Sequence, residues 1–334
     1  MKLAVVGVGY WGPNLVRNFL NHPEVSEVYC CDIDRQRLDF IQKKYPSVKI
    51  TNDYSSILQN QEIEGIVLAT PVGTHFPLAK KALEFNKNVL VEKPLTANVD
   101  DARALIDLAE EKGLKLMVDH IFVYNGAVRK IKEIVDSGEI GDIMYFDAVR
   151  INLGLFQHDV NVIWDLATHD LSIMDYIISK KPNAVSAVGM GHYNALEDIS
   201  YITLYYDNRC ICHIHVNWLA PVKIRRILIG GTKKMIVFDD VEPVEKIKVY
   251  DKGVEVTTRE GIYKTLIQYR TGDMTSPQYD TTEPLMSVVD EFIQSIKNNR
   301  RPLTDGWAGL KIVKIMEAAE YSIKNKGQII ELDV

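Results

Sequence analysis

From Lys2 to about Asp119 short apolar runs alternate with stretches whose apolar residues recur three or four positions apart. The runs are KLAVVGV, EVYCCDI, GIVLAT, NVLVEK and KLMVDH, and between them lie spacings such as Leu15, Phe19 and Leu20, or Leu105, Leu108 and Ala109. Short apolar runs read as strands buried on both faces, and the wider spacing reads as helices with one apolar side. Their alternation predicts an α/β fold, a doubly wound parallel sheet covered by helices on both faces.

After His120 the pattern changes. A helix over AVRKIKEIVDSG leads into a strand over DIMYFDAVRINLG, and from about Ala184 to Thr258 strand follows strand. The segments YITLYYDNRCICHIHVNWL and IRRILIGGTKKMIVFDD alternate apolar and polar positions, so one sheet face is buried and the other is polar or open to a partner. This predicts a second α/β domain with an open, mostly antiparallel sheet. Helices over PLMSVVDEFIQSIKNN and DGWAGLKIVKIMEAAEYSIKN close the chain, and residues 259–283 read as a long loop. The expected domains are 1–119 and 120–334, with no internal repeat and no low-complexity linker.

The 334 residues are enough for two cores, and 46% hydrophobic with 25% charged residues is an ordinary globular balance. Net charge is −6 and no basic run exceeds two residues, whereas a nucleic-acid surface needs clustered cations to displace phosphate counterions. No nucleic-acid partner is expected. The N-terminal apolar stretch breaks into glycines, unlike the core of a signal peptide, and no apolar window reaches the ~18 residues of a membrane span. Cys30 with Cys31, and Cys210 with Cys212, are close pairs inside strand-like runs, poor geometry for a disulfide framework. The expectation is a reduced, cytoplasmic protein with no membrane association.

Candidate chemistry begins at VVGVGYWG, a G-x-G-x-x-G of Gly7, Gly9 and Gly12 between a strand and a helix. Gly7 allows the tight turn, Gly9 lets backbone approach a pyrophosphate, and Gly12 lets the helix pack on the strand. The helix N-terminus then offers free N–H groups to phosphates, with Tyr10 and Trp11 in the same turn. Asp32, twenty residues after Gly12, can accept from the adenosine ribose hydroxyls, with Ile33 beside it, which favours NAD. Arg35 and Arg37 could instead accommodate a 2′-phosphate, so NADP is the lesser alternative.

Thr70 and Pro71 end the next predicted strand and His75 opens the helix after it, where an open parallel sheet holds its ligand. His75 is read as a cofactor contact, with helix capping as the alternative. At the end of a further strand, VLVEKPLT places Glu92 and Lys93 before Pro94, where both are read as cofactor contacts in the same crevice. Lys93 there can stabilise a developing negative oxygen, although a charged pair after a strand is also an ordinary surface feature.

WDLATHDLSIMDYIISKK puts Asp165 and His169 four apart on one helix face. A carboxylate one turn from an imidazole can fix its tautomer and stabilise its charged form, as a general base requires; a solvated face is the alternative. In CICHIH, strand alternation sends Cys210 and Cys212 to one face and His213 and His215 to the other, so the four cannot close a tetrahedral metal site and no metal is expected. Tyr124, Asn125, Arg150, Asn152 and Gln157 are candidate substrate contacts, with turn or sheet-edge roles equally open.

Taken together, VGVGYWG, TPVGTH, VEKPLT and WDLATHDL resemble the motifs of the Gfo/Idh/MocA oxidoreductases, in order and over essentially the whole chain. The resemblance implies an N-terminal Rossmann domain, NAD(P)-dependent chemistry at a sugar or cyclitol carbon, and a homodimer or homotetramer built on the C-terminal sheet. Residue by residue, it makes Lys93, Asp165 and His169 the catalytic set. The stretches VYNGAVRKIKEIVDSGEIGDI and RINLGLFQHDVNVIWDLATHDLSIM are similar to the branch that oxidises the 3-hydroxyl of UDP-linked N-acetylglucosamine or its uronic acid. Two residues depart from the pattern: Gly126 and Thr168 stand where proline is expected. A free inositol or hexose as substrate, or a non-catalytic nucleotide sensor, are the other readings.

Overall fold

The computed structural model describes residues 1–154, 160–193, 195–207, 209–251, 253–257, 266–270 and 272–334. In chain order the first half runs β1 (Lys2–Val6), α1 (Gly12–Asn21), β2 (Glu27–Cys31), α2 (Arg35–Lys44), β3 (Lys49–Thr51), α3 (Tyr54–Gln59), β4 (Ile63–Leu68), α4 (His75–Glu84), β5 (Asn88–Glu92), α5 (Val99–Glu111) and β6 (Leu116–Asp119). The six strands form one parallel sheet in the order β3-β2-β1-β4-β5-β6. The order reverses between β1 and β4, and in such sheets the ligand crevice opens beyond the strand ends at that reversal. The apolar runs are buried as their composition requires, with Leu3, Ala4, Val5, Val28, Ile66, Val89, Leu90 and Val91 out of contact with solvent. α5 starts where Asn98 accepts from the Asp101 N–H, with Asp100 and Asp101 in the first turn complementing the helix dipole. β3 and α3 are too short to stand out as pattern in the sequence.

The second half continues with α6 (Gly126–Asp136), β7 (Ile143–Leu153), α7 (Thr168–Ile177), β8 (Ala184–Met190), β9 (Ile199–Tyr205), β10 (Ile211–Asn217), β11 (Leu219–Gly231), β12 (Met235–Asp239), β13 (Ile247–Tyr250), β14 (Gly253–Thr257), β15 (Leu266–Arg270), β16 (Met274–Thr275), α8 (Pro284–Lys297), α9 (Gly306–Lys324) and β17 (Ile330–Glu331). Nine of these strands form a sheet in the order β16-β13-β12-β11-β7-β10-β9-β8-β17. Its neighbours are antiparallel except β7 and β10, which run parallel. Alternation places Phe146, Ala148, Ile202, Leu204, Cys212, Ile214, Ile227 and Ile229 in the core. The opposite face carries Tyr201, whose ring stacks on His215 at 4.4 Å and on His213 at 6.1 Å. The two cysteines and two histidines of CICHIH therefore part as the period of two requires.

By its contacts the chain divides into Met1–Tyr124 with Thr282–Glu317, and Asn125–Thr281 with Ala318–Val334. The return of Thr282–Glu317 to the first unit departs from the expected boundary near residue 119. α8 explains it, because its apolar side (Leu285, Val288, Val289, Phe292, Ile293) is buried and Phe292 lies over Gly65 of β4. A Cβ at Gly65 would stand 3.1 Å from the Phe292 ring and 2.7 Å from Leu3. The stretch expected to be a long loop holds two strands, β15 and β16: β15 pairs with β14 and β16 pairs with β13.

Candidate active site

The first unit supplies the glycine turn. Gly7 has φ +89 and donates its N–H to Cys31 O at 2.8 Å; a Cβ there would lie 2.5 Å from Ala69 O. At Gly12 a Cβ would lie 2.1 Å from Gly7 O, so helix and turn touch through backbone. Gly9 differs, since a Cβ would meet only the mobile end of Arg37 at 3.3 Å. The internal packing needs glycine at 7 and 12, and the glycine at 9 answers to something outside the chain. α1 begins with no side-chain cap, so its first N–H groups remain available to an anion.

Asp32 is buried at the end of β2. Its Oδ2 accepts from Val8 N at 2.8 Å and its Oδ1 from Asp34 N at 2.9 Å, which ties β2 to the glycine turn and aims the carboxylate across it. Both nearby arginines face carboxylates: Arg35 pairs with Asp39 at 2.9 Å, and Arg37 stands 3.4 Å from Asp34 and 3.9 Å from Asp32. That arrangement opposes a 2′-phosphate and suits NAD. Tyr10 and Ile33 are 91% and 96% exposed beside the turn, apolar surface that an adenine ring could cover.

Thr70 follows β4, and its Oγ1 accepts from Thr74 Oγ1 at 2.7 Å; exposed Pro71 comes next. His75 is 1% exposed, with Nδ1 2.9 Å from Pro94 O and Nε2 2.9 Å from Thr70 O. The ring therefore braces the ends of β4 and β5 against each other, and the expected cofactor contact gives way to this structural role. The Lys93–Pro94 peptide is cis.

Sequence reasoning named Glu92 and Trp11 but missed Asp119 and His120 beside them. Glu92 and Asp119 are register partners on β5 and β6, so both carboxyls leave the same sheet face. Glu92 Oε1, both Asp119 oxygens, both His120 ring nitrogens and Trp11 Nε1 are shielded from solvent, and the Glu92 carboxyl and the Trp11 indole interact with the Asp119 carboxylate. Burial, then the neighbouring Asp119 carboxylate, pushes Glu92 well above the usual carboxylate range. Burial raises Asp119 to about 6 and lowers His120 to about 4, the Lys93 cation adding to the latter. The signal available in the sequence was the polar DH ending an apolar strand.

The second unit supplies the Asp165 and His169 pair. Asp165 lies in a π-helical turn, Ile163–Ala167, that runs directly into α7. Such turns are uncommon and concentrate at functional sites. Asn161 pins this turn: its Oδ1 accepts from Ile163 N at 3.1 Å, while its Nδ2 donates to Glu197 and Glu320 at 2.8 and 2.7 Å. Trp218, fully buried, donates Nε1 to Asp165 Oδ2 at 3.1 Å, and a Cβ on Gly154 would stand 2.5 Å from its ring. Asp165 is thus held by an indole that the sequence had not singled out. Thr168, at one of the two departures from the pattern, is fully buried and its hydroxyl meets no hydrogen-bond partner among the described residues. At the other, a Cβ on Gly126 would fall 1.9 Å from Asp280 O, so only glycine fits there.

The expected substrate contacts fare less well. Arg150 is 2% exposed and donates Nε and Nη2 to Asp170 at 2.8 Å each, a buried pair under α7 in place of a ligand contact. Tyr124 is 2% exposed with its hydroxyl 3.0 Å from Thr304 Oγ1, a core position. Asn125 is the N-cap of α6, accepting from Ala127 N and Val128 N. Asn152 is half-buried near the end of β7, and Gln157 lies outside the described residues. Among the described residues no group of three or more His, Cys, Asp or Glu could hold a metal, and no helix is long and apolar enough to cross a membrane.

Comparison with known proteins gives this geometry a family. Residues 1–120 match the oxidoreductase family with the NAD-binding Rossmann fold, and residues 128–237 match the GFO/IDH/MocA C-terminal domain. The UDP-N-acetylglucosamine 3-dehydrogenase of Acidithiobacillus ferrooxidans is 23% identical over 320 residues, 94% of each chain. The scyllo-inositol 2-dehydrogenase (NAD(+)) of Bacillus subtilis is 25% identical over 195 residues, 57% of each chain. Among solved structures, GenD2 from gentamicin A biosynthesis, in complex with NAD, superposes with a TM-score of 0.83 at 20% identity, covering 100% of this chain and 97% of that one. With an uncapped helix behind Gly9, Asp32 across the turn and both domain models matched in order, the chain belongs to the Gfo/Idh/MocA family of NAD-binding oxidoreductases.

Proposed function

We propose that the protein oxidises a secondary hydroxyl of a nucleotide sugar, the 3-hydroxyl of a UDP-N-acetylhexosamine or its uronic acid. The observation that carries the reading is Asp165, set on a π-turn and fixed by the Trp218 indole at 3.1 Å, one helical turn before His169. A carboxylate so fixed can orient an imidazole and stabilise the charge it gains. His169 takes the hydroxyl proton, and Lys93 donates to the oxygen as negative charge develops on it. Asp165 does not take the proton itself. The oxidised nicotinamide, when bound, supplies the hydride acceptor.

The full-length likeness to a UDP-N-acetylglucosamine 3-dehydrogenase supports a nucleotide sugar. The likeness to a scyllo-inositol 2-dehydrogenase favours the second reading, a free cyclitol or hexose. A homodimer or homotetramer is part of the proposal, its contact the sheet face that carries Tyr201, His213 and His215. Turnover decides the substrate: with NAD⁺ in excess, reduced nicotinamide should form with UDP-N-acetylglucosamine or its uronic acid and not with free inositols or hexoses. Turnover of the free polyols alone would transfer the assignment to the second reading, and no turnover with any of them would leave a nucleotide sensor.

A further inference from the structure

Between β8 and β9 an exposed histidine is tied to a buried acid, and the chemistry proposed above uses neither. Asp198 has no exposed surface, and His192 engages both of its carboxylate oxygens. The His192 backbone N–H donates to Oδ2 at 2.7 Å and the ring Nδ1–H donates to Oδ1 at 2.7 Å, while the His192 side chain stays half exposed. A carboxylate that only accepts fixes the proton on Nδ1, so Nε2 is the atom through which the ring meets its surroundings. Protonated there, the ring gives a second N–H to an anion while Asp198 balances its charge.

Tyr193, the next residue, is 79% exposed. A cationic donor beside an exposed aromatic ring suits a nucleoside diphosphate, the first meeting phosphate oxygens and the second giving a face on which a base stacks. Glu197, the other carboxylate of this loop, accepts from Asn161 at 2.8 Å and so is engaged at the π-helical turn.

Strand register connects the loop to the acid–base pair inside the second unit. Met190, Ile199 and Asn217 stand in one row across β8, β9 and β10. His192 comes two residues after Met190, and Trp218, whose indole holds Asp165, comes one after Asn217. Both therefore leave the sheet at the same end, two strand spacings or roughly 10 Å apart. The Trp218 N–H also donates to Asp198 O at 2.9 Å, which joins the two places directly. We propose that His192, backed by Asp198, binds the diphosphate of the nucleotide-sugar substrate and that Tyr193 stacks on its base. This assignment rests on the nucleotide-sugar reading and gives recognition of the nucleotide half to the loop between β8 and β9.

Equilibrium titration of the NADH-loaded protein with UDP and with uridine tests it. His192→Gln, which keeps a donor for Asp198, should weaken UDP about tenfold, the loss of one charge-assisted bond, and leave uridine, which lacks the phosphates, within about twofold. Tyr193→Ala should weaken both ligands at least about fivefold, the loss of one stacked base. With a UDP-sugar as substrate each variant should raise KM more than it lowers kcat, because these contacts lie away from the reacting carbon. UDP affinity unchanged in His192→Gln, or UDP and uridine weakened alike by it, overturns the proposal. Turnover of the UDP-sugar with KM unmoved in both variants overturns it too and leaves the nucleotide-sugar reading standing. A wild-type protein that binds no UDP and turns over only free polyols overturns both.

Discussion

Asp170→Ala tests the reading of Arg150 as a buried structural cation. Both side chains are 2% exposed and joined by two bonds of 2.8 Å, so removing the carboxylate takes both bonds and the opposing charge from a buried guanidinium that cannot lose its proton. Breaking such a pair by deleting one partner costs about 3–5 kcal/mol, a large part of the roughly 5–15 kcal/mol that holds a domain. Arg150→Met alone should cost less, since Asp170 can take up a proton. The pair variant Arg150→Met/Asp170→Leu should recover most of the loss, because well-packed apolar residues replace buried ion pairs at little cost. Urea unfolding followed by the fluorescence of Trp164 and Trp218, both in the second unit, reports the midpoints. NADH affinity, set by the first unit, should not move in any variant. If Asp170→Ala shifted stability by less than about 1 kcal/mol while substrate KM rose, Arg150 would be a substrate contact after all and the structural account wrong.

Other measurements probe the remaining features. Trp218→Phe removes the donor to Asp165, and should lower kcat about tenfold to a hundredfold while NADH affinity holds; an unaltered kcat would detach Trp218 from the acid–base pair. Gly9→Ala should melt like the wild type yet bind NADH at least about tenfold more weakly, whereas Gly7→Ala, at φ +89 and 2.5 Å from Ala69 O, should lower the melting temperature. Asp119, raised from 3.8 to about 6, keeps in the native state a proton the unfolded chain releases, so its stabilising contribution is full below about pH 4 and lost as pH rises through about 6. His120, lowered from 6.5 to about 4, acts oppositely: the unfolded ring binds the proton, so stability grows with pH across that window. Between pH 4 and 6, Asp119→Asn should therefore tilt stability upward with pH relative to wild type, and His120→Gln downward, by up to ~1.4 kcal/mol per pH unit. Parallel pH profiles for all three proteins would show that neither group is buried as described.

The sequence reveals most where one local rule decides the outcome. The parallel strands, the glycine turn, Asp32 at the end of β2 and the partition of CICHIH all follow from period and spacing within a few residues. The sequence reveals least where distant segments meet. Nothing near Gly65 announces Phe292, and nothing near Asp165 announces Trp218, because each contact is made only when the chain folds back on itself. Arg150, Tyr124 and Asn125 show a second limit, since a polar residue near an expected crevice has the same letter whether it meets a ligand, a buried acid, a core hydroxyl or a helix end. The DH at 119–120 shows the converse: two polar residues close an apolar run, and both are buried.

The lid that Phe292 places on Gly65 belongs to the last fifth of the polypeptide, so a ribosome has made the nucleotide-binding sheet long before it makes the helix that seals one of its faces. Until translation nears its end, that apolar surface has no cover of its own. A fragment stopped after Tyr124 should accordingly be sticky and prone to capture by chaperones.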